Sequence, residues 1–288
     1  MHLRLRAPVQ TFCLLALALG ACSPEPPPAS TEGSEKPTTA QFVALSGHSP
    51  PFARLPYEPF SRAEAVAIAQ QEWRLFGQRV DDSPPRTGDE PEPTTENPEH
   101  LAGFWERIGE YWWLGQNVDR RQSAWTGMHD ENGQEFDESH DDYYAWSAAF
   151  ISYVMREAGA GPRFPYAPSH YVYIDIAKEM KLGRTSGWAV VAERLDEYAP
   201  AAGDLICYSR ERRPLKYERL PVRHFAGHCD IVVSRDQGQI SVIGGNVDHA
   251  VTMKHIPVTT DGRLADCKDC VIDTRYPWFV ALRILYDR

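Results

Sequence analysis

What the chain has little of narrows its function first. Its 30 Lys and Arg are outnumbered by 40 Asp and Glu, a formal charge of −10. Nucleic-acid surfaces need a basic footprint, so nucleic acid is not expected as a partner. The apolar stretch at residues 11–19 falls short of the roughly 20 residues that a spanning helix requires. Cysteine is scarce: of six, Cys13 and Cys22 sit near the N-terminus, leaving Cys207, Cys229, Cys267 and Cys270. The pair in Cys267-Lys268-Asp269-Cys270 has redox or half-zinc-site spacing. No thioredoxin-like context and no second closely spaced ligand pair accompany it, so a structural disulfide or unpaired thiols fit better. Four cysteines in an oxidising compartment allow two disulfides, and spacing does not dictate their pairing.

The first residues read as an export signal. Arg4 and Arg6 precede the apolar stretch, and the first acidic residue is Glu25. The stretch ends in Leu19-Gly20-Ala21-Cys22-Ser23, which resembles the lipobox of bacterial lipoproteins. That resemblance implies removal of residues 1–21 and a membrane anchor on lipidated Cys22. Ser23, in place of Asp, implies the outer membrane, facing the periplasm. An ordinary cleaved signal with an incidental cysteine is the alternative. Removing residues 1–21 takes away only Arg4 and Arg6, leaving 28 basic against 40 acidic residues. Residues 22–51, rich in Pro, Ser, Thr and Glu, hold too little apolar surface to fold and read as a tether.

A folded body is expected from residue 52: a helical extension with loops over 52–135, then an α+β domain over 136–288. Ser61-Arg62-Ala63-Glu64 is a capping-box pattern, and Ala65, Ile68, Ala69, Trp73 and Phe76 form one apolar stripe behind it. Asn97-Pro98 predicts the start of a second helix carrying Leu101 to Trp112 and ending at Gly115. Its aromatic density suits a core, or in part a wall on which a sugar ring stacks together with Tyr143 and Trp146. The loop from Met128 to Asp142 is dense in oxygen ligands. Asp130, Asn132 and Asp141 are candidates for a hard cation such as calcium, although the spacing fails the EF-hand pattern and acidic loops are commonly just solvated. No other cofactor is expected.

Ser147 opens an apolar helix, because Phe150, Ile151, Val154, Met155 and Ala158 recur at helical spacing before Gly159. A helix N-terminus favours a forming anion, so Ser147 is placed as a nucleophile would be; a capping or packing serine occupies the same position. Ser169 reads as the cap of a further helix to about Lys181. His170 lies in its first turn, on the surface or, with Tyr173, lining a cleft. From Pro200 the chain turns to short β-rich runs, so helices precede an antiparallel sheet. A hairpin turn Asp236-Gln237-Gly238, centred on Gln237, sets His228 opposite Asn246. On one face they are close enough for an Asn carbonyl to orient the imidazole of a general base.

In order, Trp146-Ser147-Ala148-Ala149-Phe150, Ala202-Gly203-Asp204-Leu205, Gly227-His228 and Gly244-Gly245-Asn246 resemble the motifs of CHAP-type amidases and peptidases. With the NlpC-type enzymes, these belong to the papain-like fold. The resemblance implies helices packed on a small antiparallel sheet and hydrolysis of amide bonds in peptidoglycan. By motif position it implies Ser147 as nucleophile, His228 as base and Asn246 as orienter. Trp146, Tyr143 and His170 would line the substrate cleft. The family uses cysteine where this chain has Ser147, and a hydroxyl must lose its proton as it attacks. The chain also resembles a bacterial group catalogued as a domain of unknown function. A catalytically inactive peptidoglycan-binding or scaffolding lipoprotein is therefore a second expectation, and an esterase or acyltransferase a third.

Overall fold

The structure is a computed structural model describing residues 59–84, 97–117 and 119–287. The signal at 1–21, Cys22 and the tether at 22–51 lie outside the described residues. Among the described residues four α-helices come first: α1 (Arg62–Leu75), α2 (Phe104–Gly115), α3 (Ser147–Glu157) and α4 (His170–Lys181). Six strands follow: β1 (Val190–Glu193), β2 (Leu205–Ser209), β3 (Gly227–Asp236), β4 (Gln239–Val247), β5 (Ala250–Pro257) and β6 (Trp278–Ile284). They form one antiparallel sheet in the order β1-β6-β2-β3-β4-β5. This is the α+β class expected from the order of elements. Among the described residues no helix is long and apolar enough to cross a membrane.

The ends of α1 follow their sequence signals. Ser61 Oγ accepts from Glu64 N–H at 3.2 Å, satisfying one orphan donor of the first turn. The second helix starts later than Asn97-Pro98 suggests. Asn97 caps only the short 3₁₀ turn Pro98–His100, and Gly103 at φ 90° breaks the path before α2 begins. A left-handed residue cannot continue a right-handed helix, and glycine adopts it without penalty.

The helical extension does not form a separate layer. Phe60, Ala65, Tyr111 and Trp112 share a core with α3 and with Cys229, Ile231 and Ile243 of the sheet. A partly buried ion pair ties α1, α2 and α3 together. The Arg107 guanidinium meets the Glu72 carboxylate, whose Oε2 also accepts from Tyr111 at 2.7 Å, and Arg107 donates to Tyr153 at 2.6 Å. The opposite sheet face buries Ile206, Tyr208, Val232, Val242 and Ile256 under Val258, Leu264, Ala265 and Tyr276 of the segment before β6.

The cysteines pair as Cys207–Cys229, across β2 and β3, and Cys267–Cys270. None of these four is available as a thiolate nucleophile. Ala202-Gly203-Asp204 serves the fold: Gly203 adopts φ 92°, and the buried Asp204 carboxylate accepts from Ala201 N–H, Tyr198 Oη–H and Ile284 N–H.

Candidate active site

The apolar face of α3 drives its position. Every residue from Ser147 to Met155 is buried, and the helix lies against β3 and β4. This brings its N-terminus to the sheet, with Ser147 in the first turn. The first N–H closed within the helix is that of Phe150, bonded to Trp146 O at 2.9 Å. The N–H groups of Ser147, Ala148 and Ala149 come before the intrahelical ladder and aim a partial positive charge at the serine.

Ser147 Oγ lies 2.7 Å from His170 Nε2. His170 is the first residue of α4, 23 positions away, and is 4 % exposed. Ser169 stands at the N-cap but makes no side-chain capping bond. His170 Nδ1 meets the hydroxyl of Tyr173, three residues on along the same helix face. Burial, then the neighbouring His228, pushes the His170 imidazole well below its ordinary range. Burial holds the Tyr173 phenol well above its own, so it keeps its proton. A neutral imidazole can accept the serine proton at Nε2 when Nδ1–H donates to the Tyr173 oxygen.

A second imidazole follows. The rings of His170 and His228 are 5.2 Å apart. His228 Nε2 lies 3.1 Å from Asp230 Oδ1, and Asp230 Oδ2 lies 2.8 Å from Lys254 Nζ. These three residues are essentially inaccessible to solvent. Burial opposes the charge of Asp230, but Lys254 and His228 outweigh it and lower the carboxyl to about 2. The ionised Asp230 accepts from His228 Nε2–H, leaving Nδ1 as the free acceptor of that ring. Burial keeps the His228 imidazole below its ordinary range despite Asp230.

Strand alternation explains which residues meet. Cys229 and Ile231 join the core under α3, whereas His228, Asp230 and Val232 project to the other face. Ser147 therefore pairs with His170, which reaches both Ser147 and His228. The β3–β4 turn has two residues, Gln237-Gly238, because Asp236 pairs with Gln239. An irregularity between Val232 and Ser234 then restores the expected register, giving Val232↔Val242 and Ile231↔Ile243. The paired ladder ends there, short of His228. Asn246 lies at φ 54° in an irregular stretch of β4. The residue hydrogen-bonded to His228 is Asp230, not the expected orienter Asn246.

The two glycines before Asn246 clear one side of β4 each. A Cβ on Gly244 would stand 2.1 Å from Asp230 Oδ1 and 2.8 Å from His228 Nε2. On Gly245 it would stand 2.6 Å from Phe150 Cβ and 2.8 Å from the Trp146 ring. Gly244→Ala is expected to destabilise the protein by about 1–3 kcal/mol, the usual cost of overpacking. Urea unfolding checks this; a Gly244→Ala midpoint equal to wild type contradicts the close approach.

The expected substrate contacts separate. Trp146 is 1 % exposed; it packs on Phe76 and Tyr111, and its indole N–H donates to Glu99 Oε2. A ring so enclosed cannot stack a sugar. Tyr143 is 60 % exposed, and its hydroxyl accepts from Arg121 at 2.8 Å. Asp130 closes a turn, its Oδ1 accepting from Asn132 N–H and Gln134 N–H. Asp141 belongs elsewhere: its carboxylate meets His100 at 3.0 Å and Asn97 at 2.9 Å. Among the described residues, the one group of three metal-ligating side chains that includes Asp141 joins it to Glu99 and His249. Asp130 and Asp141 thus do not belong to one such group. Burial and Glu99 raise the Asp141 carboxyl, whereas His249 overcomes burial and lowers Glu99.

Tyr173, Asp230 and Lys254 carry weak sequence signals. His170 and Tyr173 stand at helical i,i+3 spacing, and His228 and Asp230 at strand i,i+2 spacing, so each pair shares a face. Lys254 is a lone cation within an apolar strand.

The two buried histidines make stability pH-dependent. Each has a folded pKa below the unfolded value of about 6.5, so on acidification the unfolded chain binds protons first. Their contribution is complete above about pH 6.5 and is lost as pH falls below it. Urea midpoints are expected to drop between about pH 7.5 and 5.5, and less so in His228→Phe; equal drops argue against a buried neutral His228.

A family model described as "Uncharacterized protein conserved in bacteria (DUF2272)" matches residues 99–284, well over half of the chain. No curated protein matches the chain, and no solved structure matches it.

Proposed function

We propose that this chain, which belongs to the DUF2272 family of bacterial proteins, is a cell-envelope hydrolase that cleaves an amide bond of peptidoglycan through Ser147. The observation that carries the reading is the 2.7 Å contact between Ser147 Oγ and His170 Nε2 at the N-terminus of α3. It supplies a nucleophile, a neutral base and an electropositive helix end in one place. The finer fold assignment that accompanies it is papain-like, with a nucleophile helix packed on an antiparallel sheet. The lipid anchor on Cys22 and the outer-membrane location belong to the same proposal.

The chemistry follows from the contacts. His170 Nε2 takes the Ser147 hydroxyl proton as Oγ attacks the substrate carbonyl carbon. The N–H groups at the start of α3 receive the negative charge forming on the carbonyl oxygen. The C–N bond then breaks, the His170 imidazolium delivers its proton to the departing amine, and an acyl-serine remains. Water, deprotonated by His170, releases the acid and restores the serine. The Asp230 carboxylate offsets the transient charge on His170 through space.

A second reading, a wall-binding protein without catalysis, is favoured by one pair of observations. Ser147 is only 7 % exposed, while Tyr143 stands open to solvent beside Arg121 and Trp125. Full-length wild type, Ser147→Ala and Ser147→Cys proteins incubated with purified peptidoglycan separate the two readings by mass spectrometry of released fragments. Fragments from wild type that vanish in Ser147→Ala support the hydrolase. Wall binding with no fragments from wild type supports the binder and overturns the hydrolase.

A further inference from the structure

We propose that Glu99, Asp141 and His249 bind a divalent transition cation, zinc fitting best, which fastens three loops around Trp146. The inference goes beyond the hydrolase reading and stands whether or not Ser147 is catalytic.

The three side chains come from distant parts of the chain. Glu99 lies in the 3₁₀ turn Pro98–His100, and Asp141 follows the 3₁₀ turn Glu138–His140. His249 lies in the turn between β4 and β5. His249 Nδ1 is 2.7 Å from Glu99 Oε1 and 3.7 Å from Asp141 Oδ2, and all three donor atoms fall within 4.8 Å of one another. Donors held about 2.0–2.1 Å from a tetrahedral zinc are about 3.4 Å apart, a value between the two separations seen here. To admit the ion, the 2.7 Å pair opens by about 0.7 Å and the 3.7 Å pair closes by about 0.3 Å.

The surroundings suit a cation better than a set of hydrogen bonds alone. Two carboxylates converge on one imidazole, and the ion pairs they make among the described residues are with histidines rather than with Lys or Arg. Each carboxylate is also held from behind. The Trp146 indole donates to Glu99 Oε2 and His100 meets Asp141 Oδ1, while Asn97 donates to Asp141 Oδ2 itself and leaves that oxygen a second lone pair. Such outer contacts fix a ligand's orientation before the metal arrives. Glu99 is buried, whereas the side chain of His249 is 30 % exposed. The ion therefore has a route from solvent, and water can supply the fourth ligand.

The donor chemistry selects the metal class. An imidazole nitrogen with two carboxylate oxygens suits zinc and neighbouring first-row ions; calcium and magnesium prefer oxygen throughout. The consequence is structural. Trp146 immediately precedes Ser147, so a cation that ties Glu99, Asp141 and His249 together also fixes the entry to α3.

The test uses full-length protein stripped with chelator and titrated with zinc chloride, followed by calorimetry and thermal melting. Wild type is expected to bind one zinc per chain and to melt several degrees higher with it, since a ligand of the folded state stabilises by mass action. Asp141→Asn and His249→Ala are expected to bind zinc at least ~10-fold more weakly and to lose that melting shift. Metal-free Asp141→Asn should melt no lower than wild type, because the substitution removes a carboxylate facing Glu99. Cobalt titration gives a second reading: visible d–d bands without thiolate charge transfer are expected from a nitrogen and oxygen donor set. Absence of stoichiometric zinc uptake by wild type overturns the site. So do uptake unaffected by both substitutions and calcium bound more tightly than zinc.

Discussion

Under the proposed hydrolase function, Ser147→Ala is expected to lower the rate of peptidoglycan cleavage by about ten-thousandfold or more, with folding unchanged. Removing the nucleophile of a serine–histidine pair leaves only what binding and oxyanion stabilisation supply. His170→Ala should cost nearly as much, because two residues that act as one unit do not contribute additively. His228→Ala should cost far less, since His228 touches the reacting pair only through His170. The order of the two histidine variants decides the base. If His228→Ala is the inactive one and His170→Ala retains turnover, the base is His228, as the motif order implies. The pH profile carries a second sign. The imidazole of His170 is held well below its ordinary range, so kcat/KM should stay level as pH falls through about 6.5 and decline only at lower pH. A decline centred on the ordinary imidazole value would mean that the base is not this buried ring.

Lys254→Met is expected to destabilise the protein by about 3–5 kcal/mol, the cost of leaving one partner of a buried ion pair uncompensated. Lys254 and Asp230 are both fully buried, 2.8 Å apart. Lys254 is also the first of the two groups that hold the Asp230 carboxyl down against burial. Without it, the folded state must bury a carboxylate whose remaining hydrogen-bond partner is His228, or protonate it. Methionine preserves most of the lysine volume, so the loss reports charge rather than a cavity. The double variant Lys254→Met with Asp230→Asn should recover much of the single loss, since no charge then remains unpaired. Urea unfolding of the two singles and the double gives the coupling; additive losses would mean that the pair contributes nothing as a pair. In wild type the depressed Asp230 pKa adds stability that is present above the unfolded value of about 3.9 and is lost as pH falls towards about 2. In Lys254→Met only His228 still opposes burial, so this contribution shrinks and the deficit relative to wild type should grow as pH rises from about 2.

The same pair explains part of the motif at Gly244-Gly245-Asn246. The glycines lie within a strand, where each absent Cβ admits a neighbour: Asp230 and His228 on one face, Trp146 and Phe150 on the other. A turn reading of these glycines misses this, because close approach between elements leaves no local mark other than the small residue itself.

By itself the sequence determined what depends on neighbours along the chain. Capping at Ser61, the apolar stripe of α1, the start of α3 at Ser147 and the run of strands after Pro200 follow from periodicity and local hydrogen bonding, and these fix the α+β class. It also determined that His228 and Cys229 face opposite ways, since strand alternation is local. Only the tertiary structure decided which side chains meet. His170 reaches Ser147 because α4 brings its first turn to the N-terminus of α3, a placement set by packing between elements 23 residues apart. Asp230 rather than Asn246 holds His228, because the ladder ends before them and β4 is irregular around Asn246. Trp146 left the expected substrate wall because α2 and Phe76 at the end of α1 cover it, and Glu99, Asp141 and His249 converged because three separate turns meet. Such contacts are governed by the burial of apolar faces on several elements at once, and no window of sequence contains them.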